Sequence, residues 1–482
     1  MAETLKEKTA RGLFWGGLNN GMQQLIGLVF GIILGRLLAP SDYGMMAMIL
    51  IFSLIANALQ NSGFTVALTN IKEPRDEDYN SVFWFNIIMG VSLYILLFCC
   101  APLIGAYYHT EAIVPLARYA FLGFVFASFG TAQNAYLFKN LKAMQQAKGA
   151  IASVLVSSTV GVVMAYYGAR YWALATQSNL YILLNTCFAW HYSPWRPNVH
   201  HITFAPVRRM FRFSFKILAT TITNHVNNNV LNILLGHYFS PHDTGNYNQA
   251  YQWTSKCYYL VQSMVSQVAQ PVLVNLKDER ERQLLVFRKM MRFDAFISFP
   301  LIWGFGMVAK EFIVLAIGEK WLVSAGYIQI LSFAGITMPI YTLLTNMILT
   351  KGKSGIFFWC TLVFGLLQIV TMLLIWPYGI RNMVIVYAAL NVAWIFVWHY
   401  FTWRLTGYRL LSFLKDTLPF ALAAAGVMGT TYWATSGIDN LWVLLLSRIV
   451  MAVVLYYAVM KVAHAKILDE CQSFVLSKLK RR

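Results

Sequence analysis

Two stretches of this chain put side-chain amides and one lysine where apolar sequence surrounds them. In the run from Thr221 to Asn232, asparagines fall at 224, 228 and 232. Residues four apart on a helix share a face. Asn224, Asn228 and Asn232 therefore form a stripe, flanked by His225 and Asn227. Further on, Asn248, Gln252 and Lys256 repeat the spacing. Amides of this kind hydrogen-bond hydroxyl groups, and a lysine or arginine pairs with phosphate. Near the N-terminus Asn19, Asn20, Gln23 and Gln24 cluster in the same way, and Asn57, Gln60 and Asn61 follow. The bland alternative is that these amides only tie helices together.

The charges inside apolar sequence sharpen the chemistry. Lys256, Arg118 and Arg448 fall within apolar runs. A lysine at mid-bilayer costs about 2.5–3.5 kcal/mol on insertion scales, so such a residue faces water, a partner or a substrate. Nothing acidic lies within a helical turn of Lys256 in sequence. A cationic site without an acidic counterpart implies an anionic substrate. Arg118 and Arg448 sit about two turns from the outer ends of their runs, where they can instead snorkel. Asp294 is the acidic candidate for ion coupling, with a salt bridge to a nearby arginine as its competing role. His225 can titrate near neutral pH. The chain has no GxxxxGK[ST] loop, no HExxH and no paired carboxylates. That argues against direct use of ATP and against an enzyme. Six scattered cysteines carry no metal-ligand spacing, so neither metal nor cofactor is expected.

The elements that hold these residues are membrane helices. Of 482 residues, 58% are hydrophobic and 12% charged, against about 25% charged in soluble domains. The expected fold is all-α and polytopic. Spans of about 20 apolar residues can be drawn near 12–38, 43–66, 80–103, 112–137, 146–168, 171–192, 213–238, 243–268, 287–309, 322–350, 355–376, 380–403, 411–435 and 441–463. That predicts fourteen helices. Of the 38 Lys and Arg residues, 30 fall at the termini and in the even-numbered loops, and five on the other side. The positive-inside rule then places both termini in the cytoplasm, and explains the net charge of +19 without nucleic acid. The N-terminal sequence lacks a signal-peptide pattern and reads as a retained helix. The tail from Lys466 to Arg482 predicts either an amphipathic helix on the inner leaflet or a solvated end.

The chain also repeats itself. Leu34-Gly35-x4-Pro40-x-Asp42-x-Gly44 returns 201 residues later as Leu235-Gly236-x4-Pro241-x-Asp243-x-Gly245, with nine identities over the 34 aligned positions from Arg11/Arg212. Six predicted helices separate the copies, so both cross in the same direction. Two parallel six-helix repeats follow, at 1–205 and 206–407, with two extra helices and a basic tail at 408–482. A duplicated bundle is how many secondary transporters are built.

The opening Leu34-Gly35-Arg36-Leu37-Leu38-Ala39-Pro40-Ser41-Asp42-Tyr43-Gly44 resembles the polysaccharide-transport branch of the MOP exporter superfamily. So do Asn61-Ser62-Gly63-Phe64, Asn80-Ser81-Val82-Phe83-Trp84-Phe85-Asn86, Ala101-Pro102-Leu103-Ile104 and Gly318-Glu319-Lys320-Trp321. The likeness is strongest to Wzx-type flippases of the colanic-acid and teichuronic-acid sort. It departs from the pattern at Thr65-Val66-Ala67-Leu68-Thr69-Asn70. The resemblance implies export of an undecaprenyl-diphosphate-linked oligosaccharide across the bacterial inner membrane by ion-coupled alternating access. The pathway's polymerase and glycosyltransferases, and membrane lipids, are the expected partners.

Joined to the residue reading, it assigns the diphosphate to Lys256, Arg118, Arg11, Arg212 and Arg36. The sugar hydroxyls fall to Asn20, Gln24, Asn224, Asn228, Asn248 and Gln252, and ion coupling to Asp294 or His225. A lipid II-type flippase and a multidrug cation antiporter are the alternatives. The antiporter would want an acid deep in its first lobe.

Overall fold

The computed structural model describes the backbone of residues 5–61, 68, 71, 74–199 and 203–479, and their side chains except at 5–13, 61, 205–217, 471 and 474–479. Among the described residues the structure is helical throughout, with no strand. It divides into two compact units, Met1–Gly245 and Asn246–Arg482.

The first unit contains α1 (Leu5–Leu37), α2 (Pro40–Asn61), α3 (Asp76–Tyr107), three short helices α4 (Ile113–Ala120), α5 (Leu122–Ser128) and α6 (Thr131–Lys139), then α7 (Ala143–Tyr166), α8 (Tyr171–Tyr192) and α9 (Ala205–Tyr238). α1 runs along α7, α7 packs on α8, and α9 packs on α2 and α3. Its core gathers Met48, Ile49, Ile113, Leu116 and Phe121. The Asn80–Asn86 motif has a structural task here. Asn80 Nδ2 donates to the Asn198 carbonyl at 2.8 Å, the Asn198 N–H donates back to Asn80 Oδ1 at 2.9 Å, and Trp84 Nε1 donates to the same carbonyl at 3.1 Å. The motif thereby fastens the backbone at Asn198 to the start of α3.

α10 (Pro241–Asn275) begins in the first unit and continues into the second. The second unit adds α11 (Arg280–Met307), α12 (Ala309–Ile317), α13 (Leu322–Gly335), α14 (Thr337–Thr350), α15 (Ser354–Ile375), α16 (Ile380–Thr406), α17 (Leu410–Ala434), α18 (Leu441–Val462) and α19 (Lys466–Leu479). α11 packs on α17 and α13, α14 on α16, and α18 on α17 and α12. The outward face of α18 exposes Leu446, Val450, Val453 and Val454; an apolar surface of that extent is a lipid face. The tail is helical. α19 lies against α11, buries Ile467 and Leu468, and is held by a Lys289–Glu470 ion pair at 2.6 Å and a Gln472–Tyr457 hydrogen bond. The basic end at Lys480, Arg481 and Arg482 lies outside the described residues.

Nine described helices are long and apolar enough to cross a bilayer, or eleven counting two pairs bent by 44° and 62° as spans. The chain is thus an all-α, polytopic membrane protein. The predicted spans near 171–192, 213–238 and 243–268 are all helices, α8, α9 and α10, but they are not among those eleven. In α9 and α10 the reason is the amide content itself. The predicted span near 112–137 is broken into α4, α5 and α6, and that near 322–350 into α13 and α14.

The repeated motif is explained by helix initiation and close packing. Pro40 and Pro241 open α2 and α10, where a missing N–H leaves no bond unmade. Asp42 Oδ2 accepts the Ala39 N–H at 2.9 Å. In the second copy Ser240 Oγ donates to Asp243 Oδ2 at 2.6 Å and accepts the Asp243 N–H at 3.1 Å. The two copies meet within the first unit. A Cβ on Gly44 would overlap the Pro241 carbonyl, and one on Gly245 would overlap the Pro40 carbonyl. The same glycine thus serves the same crossing in both copies.

Candidate functional site

The amide stripe of α9 is split by burial. Asn224, His225 and Asn228 are half-buried, whereas Asn227, Asn229 and Asn232 are buried. Asn229 Nδ2 donates to the His225 carbonyl at 2.9 Å, and Asn232 Nδ2 donates to Asn229 Oδ1 at 3.3 Å. Asn232 is therefore a packing amide, although its spacing puts it on the stripe with Asn224 and Asn228. Spacing alone missed Asn229.

On α10, Asn248 is buried and Gln252 exposed, and Gln252 Nε2 donates to Asn248 Oδ1 at 2.9 Å. Lys256 is half-buried, with Nζ 4.0 Å from the centroid of the Trp253 ring. Trp253 is buried and packs edge-on against the Phe312 ring. No carboxylate lies within ion-pair distance of Lys256 among the described residues. A ring face orients an ammonium through its quadrupole but does not neutralise it. The ring therefore leaves the Lys256 ammonium without a compensating carboxylate among the described residues.

On α1, Asn20 and Gln24 are exposed, while Gln23 Nε2 donates to Asn19 Oδ1 at 2.9 Å. Arg36 is exposed in the last turn of α1. Arg11 and Arg212 lie in helices, but their side chains are outside the described ones. Arg118 packs its guanidinium 4.3 Å from the Phe98 ring centroid and reaches the Phe98 carbonyl at 3.5 Å. That contact fixes α4 against α3. Gln60, on α2, is buried and donates to the Phe124 carbonyl at 2.9 Å, tying helices together.

The acids fall in three settings. Asp294 is buried on α11; Ser298 Oγ donates to its Oδ1 at 3.1 Å, and Oδ2 has no partner among the described residues. The arginines near it in sequence go elsewhere. Arg288 Nε and Nη2 donate to the two oxygens of Asp416 at 2.8 and 3.1 Å, and Arg292 lies 3.6 Å from Asp416. Tyr408 Oη donates to Asp416 at 3.0 Å. Burial, and then the Asp416 charge, raises the Tyr408 phenol above its ordinary range, so it stays a donor. Sequence reading overlooked Asp416 and also Glu311, which is buried with Arg448 at 2.8 Å. The signal for Asp416 was available: it is an acid inside the predicted span near 411–435. No group of three or more metal-ligating side chains occurs among the described residues.

The chain is 24% identical to the lipopolysaccharide biosynthesis protein WzxC of Escherichia coli (strain K12), over 74% of this chain and 72% of that one. It is 24% identical to the teichuronic acid biosynthesis protein TuaB of Bacillus subtilis (strain 168), over 74% of each chain. Among solved structures it resembles the lipid II flippase MurJ in an inward closed conformation. The TM-score is 0.74 at 13% identity, covering 95% of this chain and 100% of that one. A MATE-family multidrug transporter of the MOP superfamily in an inward-facing conformation follows, with TM-score 0.65 at 16% identity, covering 80% and 94%. These likenesses show the fold. The polysaccharide biosynthesis protein family matches residues 33–326, more than half of the chain. It is a multi-pass membrane protein related to the Wzx-type polysaccharide biosynthesis proteins, and the chain belongs to the polysaccharide biosynthesis protein family.

Proposed function

We propose that the protein moves an undecaprenyl-diphosphate-linked oligosaccharide from the inner to the outer leaflet of the bacterial inner membrane by alternating access. The observation that carries this reading is Lys256. It is half-buried, stacked on Trp253, without a carboxylate partner among the described residues, and set on a row with Asn248 and Gln252. An unneutralised ammonium beside amides suits a diphosphate followed by sugar hydroxyls. The same sign disfavours a cationic drug. Asn224 and Asn228, and Asn20 and Gln24, are the further sugar-binding residues of this reading. Arg11, Arg36, Arg118 and Arg212 are its further anion-binding residues.

Asp294 is the residue this reading assigns to ion coupling, with His225 as the second choice. Its carboxyl is buried beside one hydroxyl and outside the arginine network that neutralises Asp416. The topology of the reading has fourteen spans, adding α8, α9 and α10 to the eleven apolar ones, with both termini in the cytoplasm. Its lobes are 1–205 and 206–407.

The test is a flipping assay on the full chain reconstituted in vesicles that carry a labelled lipid-linked oligosaccharide. The reading expects the labelled headgroup to become accessible to a membrane-impermeant reagent in a protein-dependent way. Glycan that stays inaccessible, or new glycosidic bonds formed by the purified protein, would overturn it.

A further inference from the structure

The connection after α3 and the end of α9 bring two histidines together. His237 lies in the last turn of α9, and His109 lies two residues past the end of α3. Their ring centroids are 5.5 Å apart, with the ring planes tilted by 34°. Both residues belong to the first unit. The repeat does not account for the pair, because the position matching His237, 201 residues earlier, is Arg36. Neither histidine belongs to the proposed substrate or ion path.

His237 is fixed by its surroundings. Its Nδ1 lies 2.6 Å from the Tyr107 carbonyl oxygen. A carbonyl oxygen only accepts, so Nδ1 carries the proton and the neutral ring keeps its lone pair on Nε2. The ring stacks on Tyr107, with centroids 4.3 Å apart and planes 18° from parallel. Gly236, the residue before it, sits so close to Tyr108 that a Cβ there would come within 2.7 Å of that ring. His109 is held through its backbone. Its φ is 50°, in the left-handed region. The N–H groups of Tyr108, His109 and Thr110 donate to the carbonyls of Ile104, Ala106 and Gly105 at 3.1, 3.2 and 3.0 Å. Its side chain is exposed, so the ring can turn about its side-chain torsions.

A metal-bound histidine donates its second ring nitrogen to a carbonyl or carboxylate, which fixes its tautomer and orientation. His237 has that arrangement. We infer that His109 and His237 together bind a divalent transition metal, with Zn2+ and Cu2+ as the ions that imidazole donors suit. A metal about 2.0–2.1 Å from each Nε2 in tetrahedral geometry sets the ring centroids about 5 Å apart, close to the 5.5 Å found. Water fills the other coordination positions, so the site is open and the ion exchangeable. The ion joins the end of α9, in the second copy of the repeated sequence, to the connection between α3 and α4. The inference is independent of the transported substrate.

The experiment uses the full chain without a polyhistidine tag, in nanodiscs. Zn2+ binding is measured by titration, and Cu2+ serves as a spectroscopic probe. His109→Asn is the first variant, since asparagine also accepts a left-handed backbone; His237→Gln is the second. Each is expected to weaken Zn2+ by at least about tenfold, the loss that removing even an outer-shell partner brings to a metal site. His242→Ala and the double variant His200→Ala/His201→Ala should leave the affinity unchanged. Pulsed EPR of bound Cu2+ should count two imidazoles in the wild type and in His200→Ala/His201→Ala, and one in His109→Asn or His237→Gln. Zn2+ should raise the melting temperature of the wild type, because it binds the folded junction, and should not raise that of either variant.

Equal Zn2+ affinity in the wild type, His109→Asn and His237→Gln would overturn the site and leave a stacking contact only. A single imidazole on Cu2+ in the wild type would do the same. Binding lost in His200→Ala/His201→Ala would move the metal to those residues and likewise overturn it. The count of two imidazoles in His200→Ala/His201→Ala keeps the test decisive if either single variant fails to fold.

Discussion

Lys256 and Arg448 are both cations inside predicted membrane spans, and the protein treats them in opposite ways. Arg448 is buried, donates to Glu311 at 2.8 Å and to Thr435 at 3.2 Å, and lies over the Tyr432 ring at 4.5 Å. Its Nε, its Nη1 and a face of its guanidinium are each engaged. Lys256 has the Trp253 ring and no described carboxylate. A buried charge without a counter-ion is expensive, and a fold retains one only where something else supplies the opposite sign. The difference separates a charge that joins α18 to α12 from a charge available to a ligand. Depth in the predicted spans already set Lys256 above Arg448, which lies near the outer end of its run, but it could not show that Arg448 pairs with Glu311.

The comparison can be broken first at Arg448. Arg448→Gln strands Glu311 and is expected to destabilise the second unit by about 3–5 kcal/mol, the usual cost of breaking one side of a buried pair. Inserted protein should fall steeply. Adding Glu311→Gln should restore most of it, because a neutral pair needs no counter-charge. A double-mutant cycle on inserted protein measures the coupling. If Arg448→Gln accumulated normally but failed to export, Arg448 would join Lys256 as a substrate group.

The next largest effect is at the repeat crossing. Gly44→Ala and Gly245→Ala each place a methyl group on a proline carbonyl of the other copy. Overpacking of this kind costs about 1–3 kcal/mol. Equivalent losses of thermal stability in the two variants would show that the copies play equal roles. A loss in only one would contradict the symmetric crossing.

Asp294→Asn sharpens the acid side of the comparison. It removes no described ion pair, so protein level should stay near wild type. Export should lose its response to a collapsed proton or sodium gradient. Asp416→Asn takes a partner from Arg288, Arg292 and Tyr408, and should instead lower thermal stability by about 1–3 kcal/mol without changing that response. Exchange of these two outcomes would move the coupling assignment to Asp416. The smallest effect is expected from Asn224→Ala and Asn228→Ala, which are half-buried. A few-fold loss of flipping at unchanged inserted level would mark sugar contacts. A loss of level instead would class them with Asn232.

The sequence made the all-helical membrane architecture and the polar helices visible because both depend on local composition and periodicity. Positions 224, 228, 248, 252 and 256 could be placed on stripes by counting. Counting could not say that Asn232 bonds to Asn229, nor that Gln252 reaches back to Asn248, because burial depends on neighbouring helices. It also could not see the ion pairs. Arg448 and Glu311 are 137 residues apart, and Arg288 and Asp416 are 128 apart. Only packing brings them together. The conspicuous Leu-Gly-Pro-Asp-Gly repeat proved to be a helix start and a crossing. The departure at Thr65–Asn70 falls outside the described residues except for buried Leu68.

The central claim is that Lys256 contributes charge to the substrate rather than support to the fold. It is tested by surface polymer per inserted molecule in cells that carry Lys256→Gln or Lys256→Arg as their only copy. The account predicts near-normal insertion for both, no export for the glutamine and partial export for the arginine, which keeps the charge but not the point geometry. Normal export per inserted molecule in Lys256→Gln would contradict it.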